Sequence, residues 1–378
     1  MKKLFFAGLL GLILFEIANV YFIMPMPGSQ QMNSIDLAYF LYTWRWVFRI
    51  SFLLLLVAGL AKSKWKNRWV PAVLLLTMIV IIYMFNFVMS ADHMFQQPTQ
   101  LLMKPAAANE TDTARLVMGV VHNNEAKAYP VQYLGYHHHI QDSVGGKPIL
   151  VTYCTVCRTG RIYEPVVNNK HEQFRLVGMD HFNAMIEDKT TKSWWRQSTG
   201  EAITGKLKGA KLPEVLFTQT SLDQWLKLYP SSLIMQADPV FKDSYDSTME
   251  YESGASRKKL TGTDSLSWKK KSWVVGVRHN GQAKAYDWNQ LMQERIIYDQ
   301  VGSDSIIVVV AQDGKSFFAF VQPKAQTLSL KQDTLFGNGV RYRINGIGID
   351  TVAALKQVKA FQEFWHSWKE FQPETLRY

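Results

Sequence analysis

The sequence lacks several patterns by which enzymes and nucleic-acid-binding proteins are recognised. It contains no recognisable Ser-His-Asp arrangement, phosphate-binding loop, HExxH zinc motif or nucleic-acid-binding motif. Cysteine is nearly absent as well: the chain of 378 residues has 2, Cys154 and Cys157, in the stretch VTYCTVCRTGR. Arg158 follows this pair where a haem-attachment motif requires His, so haem attachment is excluded. The remaining candidate chemistry is therefore that of two neighbouring thiols.

Three long apolar runs precede a more polar region. A helix of about 20 apolar residues is long enough to cross a bilayer. The second run contains Arg45 and Arg49, which are tolerated near a membrane interface. The first run is interrupted by Glu16 and lacks a small-residue cleavage site, so we interpret it as an uncleaved anchor. The predicted transmembrane helices cover residues 4–24, 42–61 and 69–91.

The distribution of lysine and arginine predicts the orientation of this anchor. Lys2 and Lys3 precede the first run, and the basic segment KSKWKNR, residues 62–68, separates the second run from the third. By the positive-inside rule both segments are cytoplasmic, so residues after about 92 are extracytoplasmic. The net charge of +11 then reflects proximity to a membrane, and nucleic acid is not an expected partner.

The region beyond the anchor contains an internal repeat. Residues 119–153 align without a gap with residues 276–310 and are identical at 15 positions. Turn residues between alternating apolar runs predict strands in both copies. The expected fold is an α-helical membrane anchor followed by an α+β, strand-rich domain of two duplicated lobes. The predicted boundaries are a linker at 92–113, lobe one at 114–235, a connector at 236–270 and lobe two at 271–378.

The positions at which the two copies differ are the informative ones. Cys154 and Cys157 align with Ala311 and Gly314. Residues kept in both copies, such as His122 and its counterpart in lobe two, are better explained by folding. Thiol chemistry is therefore expected in lobe one alone.

Two stretches of lobe one, HHHIQDSVGGKPILVTYCTVC and NAMIEDKTTKSWWRQSTGEAITG, resemble signatures of the bacterial domain-of-unknown-function family DUF3179. The resemblance covers roughly residues 116–227 and departs at Gln141 and Thr155, where the family usually has Asn and Pro. It implies a domain and a site in a bacterial inner-membrane protein, but no reaction. The matching residues are His137, Asp142, Gly145, Tyr153, Cys154 and Cys157 in the first stretch, and Asp188, Thr191, Ser193, Trp195, Gln197, Thr199 and Gly200 in the second.

Three interpretations of the cysteine pair are open at this level. A structural disulfide would close a very short loop and contribute only about 2 kcal/mol. Disulfide exchange would have to occur on a fold other than thioredoxin, because a turn and a strand follow the pair instead of a helix. A metal site would hold zinc or copper between the two thiolates and His137.

The two family signatures predict one site. We expect Cys154, Cys157, Asp188 and Gln197 to line a common pocket in lobe one, with His137 at its margin. The leading hypothesis is thiol chemistry, redox or metal-linked, on an unknown envelope substrate. The alternative is a non-catalytic module that binds a ligand or an envelope protein partner, with the cysteines bracing its pocket.

The orientation gives a direct test. A reporter that is active only outside the cytoplasm, fused after Asp92, should be active, because three spans carry this point across the bilayer. Activity of a cytoplasm-only reporter at the same fusion point would contradict the topology and remove the oxidising compartment that a disulfide requires.

Overall fold

The computed structural model describes residues 1–252, 263–324 and 327–378, and it divides into two compact units. The helical unit comprises Met1–Gln96, Gln173–Arg196 and Glu201–Lys211, and the main β unit comprises Gln97–Glu172, Gln197–Gly200 and Leu212–Tyr378. This division differs from the predicted boundaries, since parts of predicted lobe one belong to the helical unit. The predicted connector at 236–270 includes residues 253–262, which lie outside the described residues.

In the described part of the chain a group of helices comes first, and many short strands with a few short helices among them follow. The helices are α1 (Lys2–Tyr21), α2 (Ile35–Thr43), α3 (Arg45–Ala61), α4 (Trp69–Tyr83), α5 (Ala91–Met94), α6 (Val131–His137), α7 (Leu222–Leu228), α8 (Lys242–Glu252), α9 (Trp288–Glu294) and α10 (Trp365–Phe371). A π-helical turn, Met84–Val88, follows α4.

The strands that precede residue 240 are β1 (Met103–Pro105), β2 (Leu116–His122), β3 (Glu125–Pro130), β4 (His139–Val144), β5 (Lys147–Cys154), β6 (Thr159–Tyr163), β7 (Val166–Val167), β8 (Lys170–His171), β9 (Phe174–Asp180), β10 (Asn183–Asp188), β11 (Trp194–Arg196), β12 (Ala202–Thr204), β13 (Thr218–Ser221) and β14 (Leu233–Met235). Those that follow are β15 (Trp273–His279), β16 (Gln282–Asp287), β17 (Ile296–Val301), β18 (Asp304–Val310), β19 (Phe317–Val321), β20 (Ser329–Lys331), β21 (Thr334–Gly337), β22 (Val340–Arg343), β23 (Ala360–Phe364) and β24 (Leu376–Arg377). The domain is therefore strand-rich.

Two helices in the described part of the chain are long and apolar enough to cross a membrane, Lys2–Tyr21 and Trp69–Val88. These agree with the first and third predicted spans. The second predicted span is a bent pair, α2 and α3, whose axes differ by 61°. The bend places Arg45 at the first position of α3, near the helix end as the sequence suggested.

Close packing joins the first and third helices. A Cβ atom on Gly8 would lie 2.4 Å from the backbone N of Leu56, and one on Gly59 would lie 2.1 Å from that of Phe5. Glycines at such a crossing let two apolar helices approach backbone to backbone.

A polar triad also links three helical segments. Arg49 donates to both carboxylate oxygens of Glu16, at 2.6 and 2.8 Å, and to Asn86 Oδ1 at 2.7 Å. Asn86 Nδ2 in turn donates to Glu16 Oε2 at 2.8 Å. The Glu16 side chain is almost fully buried, so its charge is stabilised by these partners instead of water.

The helical unit also contains a four-stranded sheet with the order β12-β11-β10-β9. The backbone N of Met179 donates to Ile23 O at 2.7 Å, just after α1. Arg175 on β9 forms an ion pair with Asp92 at 3.0 Å and also bonds the Tyr42 hydroxyl. Strands from the middle of predicted lobe one therefore pack with the anchor helices.

The main β unit contains two segments with the same order of elements. The first motif consists of β2 to β6 with α6, followed by β13, α7 and β14. The second motif consists of β15 to β19 with α9, followed by β23, α10 and β24. Their sheets correspond as well, with the orders β14-β3-β2-β13 and β24-β16-β15-β23, and each motif has a separate three-stranded sheet, β4-β5-β6 or β17-β18-β19. Strand β1, within the predicted linker, adds to the edge of the first sheet.

In both motifs a two-residue hairpin turn joins the first two strands, β2 to β3 and β15 to β16. Asn123 and Asn124 have φ of 45° and 63°, and Asn280 and Gly281 have φ of 47° and 77°. Positive φ at both central residues is typical of the tight turns that match strand twist, which explains the HNN and HNG sequences.

The two motifs share a core. Tyr129, Val151 and Tyr153 of the first motif belong to the same buried apolar cluster as Phe361 and Trp368 of the second. Burial of this shared surface holds the two motifs together as one compact unit.

The triad in the helices predicts a non-additive pair of substitutions. Glu16→Leu leaves Arg49 without its counter-ion and should cost about 3–5 kcal/mol, whereas the Glu16→Leu/Arg49→Leu double variant should cost less than the single one. The measurement is the thermal midpoint in detergent, with Leu14→Ala on the exposed face of α1 as control. A double variant that is as unstable as the sum of both single variants would contradict the pairing.

Candidate functional site

The two cysteines lie on a tight β-hairpin. Cys154 is the last residue of β5 and pairs with Thr159, the first residue of β6, so that residues 155–158 form the loop. Arg158 closes the loop with φ of 55°, and its backbone N donates to Thr155 O at 3.3 Å. The pair therefore lacks the helix amino terminus that lowers thiol pKa values in thioredoxin-like proteins.

Both cysteines are in the thiol form, in contact with each other and fully buried. Burial raises the pKa of Cys157 well above its usual range, and the hydrogen bond with Cys154 raises it further. The Ser367 hydroxyl, which also bonds the Cys157 thiol, acts in the opposite direction. In this conformation Cys157 favours the protonated thiol, because its thiolate would be poorly solvated.

A buried carboxylate from the second motif lies beside this dithiol. Glu363 on β23 accepts hydrogen bonds from Arg161 Nη2 at 2.6 Å, Thr159 Oγ1 at 3.0 Å and Ser367 Oγ at 2.7 Å. Its charge disfavours the Cys157 thiolate. Ser367 thus connects the thiol of the first motif with the carboxylate of the second.

Further contacts hold the cysteine loop against strand β23 of the second motif. The backbone N of Phe364 donates to Cys157 O at 3.0 Å, so the loop adds directly to the end of β23. The Arg161 guanidinium lies over the Phe361 ring at 3.8 Å and donates to Ser198 O at 3.1 Å. The cysteine loop is therefore held by both motifs of the main β unit.

The side chain of Arg158, the last residue of the loop, lies in a second buried polar environment. Its guanidinium lies 3.7 Å from the centre of the Trp273 ring, and Nε donates to Glu252 O at 3.2 Å. Burial lowers the pKa of Arg158. Among the described residues, Arg158 Nη2, Gln362 Nε2 and the Tyr153 hydroxyl have no hydrogen-bond partner although they are buried. Three such atoms close to one loop are a candidate position for a small polar ligand.

The predicted residue Gln197 belongs to this neighbourhood. Its Nε2 donates to Thr152 Oγ1 and to Thr159 O, both at 3.0 Å, and so bridges the two strands of the cysteine hairpin. Gly200, in the same short segment, has φ of 67°, and a Cβ there would lie 2.5 Å from the Tyr163 ring. This end of the second family signature therefore supports the hairpin.

The predicted residue Asp188 is engaged elsewhere. It belongs to the helical unit, where its carboxylate accepts from Thr191 Oγ1 at 2.7 Å, Ser193 N at 3.1 Å and Trp195 Nε1 at 3.0 Å. All of these donors lie within seven residues of Asp188, as in a side-chain-stabilised turn. The second signature is thus divided between the two units, and its first half has a folding role.

His137 also has its own partners. Its Nε2 lies 2.7 Å from the Tyr245 hydroxyl, and its ring packs edge-on against Phe241. In the described part of the chain, no group of three or more His, Cys, Asp or Glu side chains is arranged to hold a metal ion. A metal site made by Cys154, Cys157 and His137 has no geometric support among these residues.

Sequence reasoning missed Glu363 and Ser367, which approach the thiols from a distant part of the chain. One signal was present: both residues belong to the stretch FQEFWHSW, whose counterpart in the first motif is β13 and α7. Trp368 of this stretch covers Gly276 as Trp225 covers Gly119. That correspondence places the carboxylate of Glu363 where the first motif has Thr220.

The buried dithiol predicts slow chemical modification. In the folded protein both thiols should react with iodoacetamide about 100-fold more slowly than in denaturant, since reaction requires exposure and a thiolate.

Folding favours the protonated form of Cys157. The contribution of this thiol to the free energy of unfolding is therefore complete below the unfolded-state pKa of about 8.5, and it decreases as the pH rises above that value.

A cysteine at the exposed tip of the same loop provides the control for this labelling experiment. Val156→Cys, in a Cys154→Ser/Cys157→Ser background, should react rapidly because Val156 is 36% exposed. Equal rates for the native pair and the Val156→Cys thiol would show that the dithiol is accessible.

Comparison with known proteins gives a family but no activity. The model of a family described as a protein of unknown function, DUF3179, matches residues 100–375, well over half of the chain. No curated protein and no solved structure gives a significant match. The match includes the cysteine hairpin, the first motif, the second motif up to α10 and the sheet of the helical unit. The chain therefore belongs to the DUF3179 family of proteins of unknown function.

Proposed function

We propose that this protein is anchored in the bacterial inner membrane, with its strand-rich domain outside the cytoplasm, and that its Cys154–Cys157 pair undergoes dithiol–disulfide exchange. The observation that carries this proposal is the direct contact of the Cys154 and Cys157 thiols beside Ser367 and Glu363. Two contacting thiols in an oxidising compartment are suited to form a disulfide.

The exchange can be written with a disulfide of an unknown envelope substrate as oxidant. One cysteine of the pair loses its proton and attacks a substrate sulfur, which releases one substrate thiol and forms a mixed disulfide. The second cysteine attacks that bond, and the substrate leaves with both of its sulfurs reduced. The pair is oxidised by two electrons, and its two protons go to the two substrate thiolates.

The neighbouring side chains support the proton transfer. Ser367 bonds both the Cys157 thiol and Glu363, and forms a hydrogen-bonded path from sulfur to carboxylate. Since both thiols are buried, exchange requires the loop at residues 155–158 to open. The tip residue Val156 is partly exposed, which gives a partner access to this loop.

The complete burial of the two thiols supports a second candidate function, that of a non-catalytic binding module. A raised thiol pKa and complete burial are typical of cysteines that pack instead of reacting. The unpartnered atoms of Arg158 and Gln362 would then bind a small polar ligand in a non-catalytic module. Zinc or copper remains a weaker prediction, for which the described residues offer no ligand set.

We also infer that the two motifs are copies of one ancestral unit. Lys127 and Tyr129 bond Asp142, and the equivalent Lys284 and Tyr286 bond Asp299. Trp225 Nε1 and Trp368 Nε1 each donate to a hydroxyl seven residues later, at 2.7 Å. Side-chain interactions repeated at matching positions support duplication more strongly than a shared order of elements.

Redox titration of the purified full-length protein separates the candidate functions. Oxidised glutathione should lower the free-thiol count from two to zero, reversibly with dithiothreitol, and Cys154→Ser/Cys157→Ser should lose only a modest part of the thermal midpoint. Glu363→Gln should slow oxidation about 100-fold at neutral pH, the lower end of the range for an assisted proton transfer. Glu214→Gln, a carboxylate bonded to Arg278 and Lys359 instead of the thiols, is the matched control.

Two results would contradict dithiol exchange. If both thiols stay reduced in excess oxidised glutathione while the protein remains folded, the pair does not function as a redox centre. If the double serine variant fails to fold, the cysteines are structural, and the non-catalytic module becomes the better explanation.

A further inference from the structure

A cavity of about 170 Å³ lies in the helical unit, and none of its lining residues belongs to the main β unit. It is enclosed by residues that follow α1, by the bend between α2 and α3, by the π-helical turn and by strand β9. All of these elements lie at the end of the helices opposite the basic segment 62–68. The π-helical turn is a feature often found at functional sites, because it displaces side chains from the regular helical positions.

One polar side chain in this cavity has no partner in the described protein. Asn19 is 8% exposed, and its Oδ1 is fully enclosed without a hydrogen bond. A buried amide is normally satisfied by protein or by a bound molecule. Rotation about its last side-chain bond lets it offer either its oxygen or its NH₂ group to such a molecule.

In the part of the chain that the structure describes, one arginine at the cavity, Arg45, has no carboxylate partner. Arg49 is neutralised by Glu16, and Arg175 by Asp92 and Glu187. Arg45 differs, since among the described residues it bonds only the Tyr42 carbonyl, at 2.6 Å, and lies over the Tyr42 ring at 4.0 Å. A guanidinium with free N–H donors is well suited to a phosphate group.

The remaining walls of the cavity are apolar. Val20, Met24, Phe85 and Met89 line it together with the polar groups. A site with a free guanidinium, a free amide and apolar walls matches a molecule that combines a phosphate with hydrocarbon. At the end of membrane-spanning helices, such molecules are the phospholipids of the bilayer.

We propose that this cavity binds the headgroup of a membrane phospholipid, with the phosphate at Arg45 and a phosphate or ester oxygen at the Asn19 amide. The first ester-linked part of the lipid lies against Val20 and Phe85. The proposal rests on the membrane anchoring of the proposed function and is independent of the thiol chemistry.

Lipid binding to the purified full-length protein in detergent provides the test. The probes are dioctanoyl phosphatidylglycerol, dioctanoylglycerol without phosphate, and inorganic phosphate, each titrated by calorimetry. Phosphatidylglycerol should bind much more tightly than the other two. Arg45→Gln and Asn19→Leu should each weaken its binding about tenfold, as expected for the loss of one hydrogen bond to a charged group.

Three controls make the outcomes distinct. Arg68→Gln removes an exposed cation of the opposite loop and should leave the affinity unchanged. Met24→Trp fills the cavity without changing its polar groups and should also weaken binding, which covers the case that a polar variant misfolds. Cys154→Ser/Cys157→Ser should bind lipid normally, so failure of the redox proposal would not affect this result.

The proposal is overturned by any of three observations. Wild-type affinity in folded Arg45→Gln and Asn19→Leu would show that the lipid binds elsewhere. Equal affinity for dioctanoylglycerol would show that the phosphate is not recognised. Equal affinity for inorganic phosphate would identify a free anion, instead of a lipid, as the ligand.

Discussion

The buried carboxylate of Glu363 is the interaction on which the main β unit depends most directly. It accepts hydrogen bonds from Arg161 and Thr159 of the first motif and from Ser367 of its own motif. A desolvated carboxylate is stable only if such partners surround it, so the hairpin and strand β23 must meet in one register. The position of Cys157 follows from that register, because its carbonyl bonds the end of the same strand.

The equivalent loop of the second motif shows how such a hairpin is built without the two cysteines. There Ala311 and Gly314 replace the cysteines, and the methyl group of Met292 would lie 2.9 Å from a Cβ on Gly314. Asp313 accepts from Ser221 at 2.6 Å, so this loop also contacts the strand and helix of the other motif. The scaffold thus provides two similar loop positions, of which one contains thiols and the other is filled.

The helical unit combines apolar helices with polar interactions that few membrane anchors need for attachment alone. Glu16, Arg49 and Asn86 satisfy one another, and Arg175 connects β9 with the helices. The polar first half of the second family signature belongs here, where Asp188 stabilises its own turn. The donors to Asp188 thus come from its own turn, which a folding role explains.

The sequence by itself determined the apolar helices, the strand-rich class, the hairpin turns and the position of Cys154 at the end of a buried strand. These depend on local composition and periodicity, which are encoded within a few neighbouring residues. Only the tertiary structure decided that Glu363 and Ser367 lie beside Cys157 and that Asp188 belongs with the helices. Contacts between residues far apart in the chain depend on how apolar surfaces pack and on which buried charges need partners, and neither is visible in one sequence.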